Sequence, residues 1–126
     1  MDDKRYDIRI KVATSYVDEQ SEPSAGRFVF AYTITIRNDS DVPAQLLRRH
    51  WVITDANGKV REVSGEGVVG EQPRIEPGET FRYSSGAVID TPVGAMQGSY
   101  RMHTDDGADF DAPIPPFTLA VPGVLQ

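Results

Sequence analysis

The chain is expected to fold as an all-β antiparallel sandwich of about seven strands, and three observations carry that expectation. Apolar residues recur with a period of 2 rather than 3.6. Eleven glycines and nine prolines punctuate the chain, which suits many short strands joined by turns. No segment between the turn signals has the length and spacing of an amphipathic helix. At 126 residues one domain, residues 1–126, is expected. A chain of this size buries roughly two-thirds of its unfolded surface, enough for one core without staples.

The elements follow in order. Ile8, Ile10, Val12, Thr14 and Tyr16 alternate with Arg9, Lys11, Ala13 and Ser15, the pattern of a half-buried strand. Gln20 to Gly26 is a loop by composition. Phe28 to Ile36 is the clearest strand, with Phe28, Phe30, Tyr32, Ile34 and Ile36 on one face. Asn38 to Asp41 ends it as a turn. Leu46 to Thr54 holds the single tryptophan, Trp51, on a face with Leu47 and Ile53. Asn57-Gly58 predicts a hairpin into Val60–Val63, with positive φ at both turn positions. Ser64 to Gly78 reads as irregular. Phe81 and Tyr83 mark a further strand, and Ser84 to Gly94 is turn-rich. Gly98 to His103 is the next strand, with Tyr100 and Met102 on one face. Asp106-Gly107 predicts a second hairpin, leading to Phe110, Ile114, Phe117, Leu119 and Val121. Pro113, Pro115 and Pro116 lack donors, so this last strand belongs at an edge or carries a bulge. A central-strand tryptophan, with Tyr100 near a strand start as a corner tyrosine, fits an immunoglobulin or fibronectin type III arrangement.

Composition narrows the function. Absence of cysteine removes disulfides, thiolate metal sites and a cysteine nucleophile, and fits a reducing, cytoplasmic setting. No apolar run approaches the ~18 residues of a membrane span, and the charged start MDDKRYDIRI lacks the apolar stretch of a signal peptide. No membrane partner is expected. A net charge of −6 disfavours nucleic acid, whose phosphates need clustered cations.

Gly65-Glu66-Gly67-Val68-Val69-Gly70 matches the G-x-G-x-x-G pattern of dinucleotide-binding folds. There the glycines end a strand and open a helix that holds pyrophosphate. Here a helix would run into Pro73 and Pro77, at ~3 kcal/mol each in a helix interior. The glycines are therefore expected to shape an inter-strand loop through positive φ and close packing. An alternative is a nest of backbone amides that binds an anion. Its candidate residues are Gly65, Gly67 and Gly70, with Arg74, Arg49 and His50 supplying charge. Arg49 shares the Trp51 face and is expected near an end of the sandwich, its guanidinium reaching out.

Other chemistry is thin. His50 and His103 have no zinc-ligand spacing, and no nucleophile-elbow sequence is present. Asp105, Asp106, Asp109 and Asp111 could gather a hard cation, but Asp109-Phe110-Asp111 reads equally as solvent-facing carboxylates around a buried ring. No catalytic residues, metal site or cofactor are expected.

Ordered segments carry a family resemblance. They are Arg49-His50-Trp51 with Ile53-Thr54-Asp55; Val63-x-Gly65-x-Gly67-Val68-Val69-Gly70-x-Gln72-Pro73; Pro77-Gly78; Tyr83-x-Ser85-Gly86; and Thr91-Pro92-x-Gly94-x-Met96-x-Gly98-x-Tyr100-x-Met102. Gln20-Ser21-x-Pro23 and Ile114-Pro115-x-Phe117 extend the match to both ends. Together they closely resemble the ApaG family over nearly the whole chain. The resemblance implies a fibronectin type III-like sandwich in a free-standing bacterial protein. Similar domains in eukaryotic F-box proteins and a polymerase-delta-interacting protein are regarded as protein-interaction modules. It also implies a link to cobalt resistance and magnesium efflux, and it supplies no catalytic residues. The resulting expectation is a non-enzymatic binding module with a protein partner, with a homodimer open. The alternative is a sensor of phosphate, pyrophosphate or nucleotide, with or without a divalent cation, at the glycine-rich loop.

Overall fold

The computed structural model describes residues 6–124. Its strands are β1 (Ile8–Tyr16), β2 (Phe28–Asn38), β3 (Ala44–Asp55), β4 (Val60–Glu66), β5 (Arg74–Ile75), β6 (Thr80–Ile89), β7 (Val93–Thr104) and β8 (Asp109–Ala120). One sheet has the order β1-β2-β6 and the other β4-β3-β7-β8, with β5 pairing on β3. All pairings are antiparallel. The expected sandwich is present, with eight strands because β5 is a two-residue addition. Two single 3-10 turns join β1 to β2: Asp18–Gln20 leads into the predicted loop of Gln20 to Gly26, and Pro23–Ala25 lies within it.

The period-2 pattern sets the core. Phe30, Tyr32, Ile34 and Ile36 of β2 are buried, facing β3 and β7. Trp51 packs between the sheets, its ring 5.5 Å from Tyr32, 5.8 Å from Phe117 and 6.4 Å from Tyr100. Edge-on aromatic pairs of this kind contribute ~0.5–1.5 kcal/mol each beyond area burial. Buried Asn38 ties the end of β2 to β5: its Nδ2 donates to the carbonyls of Val42 (2.9 Å) and Ile75 (2.8 Å).

Two bulges change the face assignment. β3 pairs Leu46 with Met102 but Arg48 with Arg101, so Leu47 is an extra residue. The insertion flips the phase of the strand. Leu46, not the predicted Leu47, joins Trp51 and Ile53 in the core. In β8, Ile114 pairs with Gly98 and Phe117 with Met96, so Pro115 and Pro116 together face Gln97. The last strand is therefore both an edge and bulged, as its prolines require.

Elsewhere the boundaries differ from expectation. β4 continues to Glu66, and Arg74–Ile75 form β5 within the predicted irregular stretch. Ser84 to Gly94 is mostly strand: β6 runs to Ile89 and β7 begins at Val93. Short side chains there pass for turn signals, whereas pairing with β2 supplies the ordering force. The Asn57-Gly58 hairpin forms, but Gly58 has φ 83° while Asn57 is not left-handed. The turn opens at Asp55, whose carboxylate accepts from the amides of Asn57 and Lys59 at 2.9 Å. Tyr100 lies mid-strand rather than at a corner. Its hydroxyl meets that of Tyr83 across the core at 2.5 Å.

Candidate functional site

The two long sides of the sandwich differ. On one, β1 packs beside β8, and Tyr6 stacks on Phe110 at 5.4 Å. On the other, the edges of β4 and β6 flank a cleft. All of β4 is exposed except half-buried Gly65. Ser85 of β6 points the same way as buried Tyr83 and Ala87 but is exposed, because β4 does not cover it.

The cleft has a cavity of ≈ 410 Å³ floored by Tyr32, Trp51 and Met96, with Arg49, Arg61 and Ser85 on its walls. A neighbouring cavity of ≈ 340 Å³ shares Tyr32, Arg49, Trp51 and Ser85 and reaches Val69 and Gly70. These volumes are those of ligand sites. Arg61 Nη2 donates to the Val88 carbonyl (3.0 Å), and Lys59 Nζ pairs with Asp90 (3.0 Å). Both links cross from the β4 side to the β6 side at one end.

The β6 backbone is open toward this cleft. The Asn38 amide donates to Glu79 and Arg37 stands opposite Thr80. Hydrogen-bonded pairs alternate along an antiparallel ladder. Odd-numbered β6 residues therefore bond β2, and Arg82, Ser84, Gly86 and Val88 turn N–H and C=O outward. The Val88–Arg61 bond fits that parity.

Arg49 comes from the middle of β3. Its Nη1 donates to the carbonyls of Glu66 (3.0 Å) and Gly67 (2.9 Å). It turns back over Gly65 instead of reaching out at an end of the sandwich, because its cross-strand neighbour has no side chain to block it. Among the described residues it pairs with no carboxylate. Close by, burial pushes the Tyr83 hydroxyl up to about 12 and that of Tyr100 further, while Arg49 opposes both shifts.

The glycine loop is a small hairpin on the β3 edge. The bulged Leu47 carbonyl accepts from the Gly67 amide (2.8 Å) and from Gln72 Nε2 (3.0 Å). The amides of Val68 and Glu71 each donate to the other's carbonyl, at 2.8 and 2.9 Å. Between them Val69 has φ 43° and Gly70 φ 82°, the two left-handed positions of a type I′ turn. A β-branched residue there is strained. Val68 is buried in the core and Val69 is exposed.

The six candidate anion-site residues do not all converge. Gly65, Gly67 and Arg49 meet at the cleft, and Gly70 lies at its rim. His50 bonds Glu62 (2.9 Å) and lines another depression with Arg48, Ser64, Ser99, Arg101 and Asp111, which Arg49 also borders. Arg74 bonds Glu76 and Asp105. The acidic cluster is likewise dispersed: Asp109 bonds His103 at 2.5 Å, Asp111 pairs with Arg101 at 3.2 Å, and Asp106 holds Tyr6 at 2.9 Å. Among the described residues no three His, Asp or Glu side chains are placed to hold a metal. Sequence reasoning missed Arg61, Ser85 and the β6 edge. Arg61 and Val63 alternate with Glu62 and Ser64, a signal that one face of β4 looks inward, but its opening onto a cleft depends on where β6 ends.

An ApaG domain model matches residues 18–104. The chain belongs to the ApaG family. It is 65% identical over 123 residues to protein ApaG of Thiobacillus denitrificans, covering 98% of this chain and 97% of the relative. It is 58% identical to protein ApaG of Pseudomonas putida over all 126 residues, the full length of both. A crystal structure of the putative ApaA protein from Bordetella pertussis superposes with a TM-score of 0.91 at 49% identity, covering 94% of this chain and 96% of that one. The ApaG resemblance in the motifs is thus family membership. No described helix is long and apolar enough to cross a membrane.

Proposed function

We propose that this ApaG-family domain is a non-enzymatic, cytoplasmic binding module that engages a protein partner at its open side. The observation that carries this reading is the pair of sheet edges, β4 and β6, facing each other across a cleft with an aromatic floor and linked by side chains at one end. Exposed Val63 and Val69 border it, 37% and 55% accessible, an apolar margin suited to burial in an interface. The β8 edge is a poorer candidate for strand addition because three prolines remove donors from it. The family's link to cobalt resistance and magnesium efflux enters the same reading as an effect exerted through the partner.

A photo-crosslinking residue at Val63 in living cells tests this. It should trap a reproducible partner, whereas the same residue at Lys11, on the outer face of β1, should not. Equal trapping from both positions would contradict the assignment. Trapping of the chain itself would make the partner a second copy.

A second reading, phosphate or nucleotide at the glycine-rich loop, is favoured by Arg49 beside the exposed Val69–Gly70 tip. Three of the loop amides are already bonded within the protein, which leaves less of a nest. Calorimetry with phosphate, pyrophosphate and nucleotides separates the two: heat at millimolar ligand supports the sensor, and its absence supports the protein partner.

A further inference from the structure

We infer that the occupant of the cleft is an extended, carboxylate-bearing segment of the partner, added as a strand to β6 with its acidic side chain reaching Arg49 and Arg61. This deepens the binding reading above and rests on it.

Backbone geometry supplies the first argument. Arg82, Ser84 and Gly86 present outward N–H and C=O groups, and Ser84, Ser85 and Gly86 are exposed. At Ser84, Ser85 and Gly86 nothing bulky blocks an approaching chain. Strand addition satisfies such groups with main-chain bonds and leaves specificity to alternate side chains. A strand paired there sends every second side chain to the same face as Tyr83, Ser85 and Ala87, which is the cleft face.

Charge supplies the second. Arg9, Arg37, Lys59, Arg74 and Arg101 each have a carboxylate neighbour. Lys11, Arg27, Arg48, Arg49, Arg61 and Arg82 have none among the described residues. Of these unpaired cations Arg49 and Arg61 are the two that line the cleft, where they bond backbone carbonyls. Two acids border the cleft: Asp90 is held by Lys59 at 3.0 Å, and Glu66 lines the neighbouring cavity while its carbonyl accepts from Arg49. Each guanidinium has five N–H donors, so both retain donors for a carboxylate fork. The aromatic floor of Tyr32 and Trp51 accommodates an apolar side chain two positions along the same strand.

The test is selection of a random peptide library on the whole protein. The chain carries net charge −6 and repels acidic peptides overall, so their enrichment reports a local site. Enriched peptides should carry Asp or Glu among β-branched residues and should shift the amide resonances of Arg82, Ser84 and Gly86. Arg61→Gln should weaken them roughly tenfold or more, as expected for a charge-assisted bond. Ser84→Pro removes an outward N–H without breaking the β2 backbone ladder, and should abolish binding while the domain stays folded, with a melting temperature lowered only by loss of the exposed Ser84–Thr33 hydroxyl bond. If Ser84→Pro unfolds the domain, the Arg61→Gln result and the resonance map decide. No enrichment, enriched peptides without carboxylates, affinity unchanged in Arg61→Gln, or displacement of acidic peptides by millimolar phosphate would overturn the proposal. Partner trapping from Val63 alongside any of these results leaves the binding reading standing. Equal trapping from Val63 and Lys11 removes both.

Discussion

The guanidinium of Arg49 lies over Gly65, so close that a Cβ at Gly65 would stand 2.8 Å from its central carbon. The bare backbone lets Arg49 fold onto the next two carbonyls, and this fixes a cation at the mouth of the cleft. Gly65→Ala should push the side chain aside at a cost of about 1 kcal/mol, the worth of the hydrogen bonds it loses. The clash is with the end of a flexible side chain, so the fold should survive. Urea unfolding, with Trp51 fluorescence as the probe, checks this.

Gly67 has a different reason to be glycine. Its φ is +63°, and a Cβ would stand 2.1 Å from the Glu71 carbonyl oxygen, a backbone atom. Gly67→Asp should therefore cost about 2 kcal/mol or more, combining left-handed strain with a clash that cannot relax by side-chain rotation. Equal unfolding midpoints for wild type and Gly67→Asp would refute the structural role.

Val69 holds a left-handed φ of 43° at an exposed turn position. Val69→Asn, which creates the preferred Asn-Gly pair of a type I′ turn, should stabilise the domain by about 1 kcal/mol. A lowered melting temperature would mean that the valine is held by contacts outweighing its strain.

Tyr83 and Tyr100 share a hydrogen bond across the core. Burial raises the Tyr83 pKa from 10.0 to about 12, and Tyr100 moves further in the same direction. A folded-state pKa above the unfolded value means the folded state holds its proton longer. The associated stability is complete below pH 10 and is lost as pH rises from there through about 12. Ultraviolet titration should show these two of the five tyrosines ionising only with alkaline unfolding. Tyr83→Phe and Tyr100→Phe should each cost ~1–3 kcal/mol by stranding the other hydroxyl, and the double variant less than their sum.

Much of the fold was legible because β2 alternates without interruption from Phe28 to Ile36 and because Asn57-Gly58 and Asp106-Gly107 mark their hairpins. The prolines of β8 announced an edge or a bulge, and the strand has both. The Leu47 bulge was not legible, since a single inserted residue leaves no composition signal and yet moves Leu46 into the core. Ser84-Ser85-Gly86 looked like a turn because small polar residues favour turns locally. Non-local pairing with Tyr32, Ala31 and Thr33 makes it strand. The site suffered from the same cause. Glycine spacing located the loop and Arg49, but the cleft is defined by the β6 edge, which local sequence concealed.

Amide hydrogen exchange along β6, in the protein alone and in complex with the partner trapped from Val63, tests the central claim most directly. In the free protein the amides of Arg82, Ser84 and Gly86 should exchange rapidly while those of Phe81, Tyr83 and Ser85 are protected by β2. In the complex the first three should slow markedly. Unchanged exchange there, with protection appearing on β1 or on the outer face of β7 and β8, would contradict the assignment of the open side as the binding site.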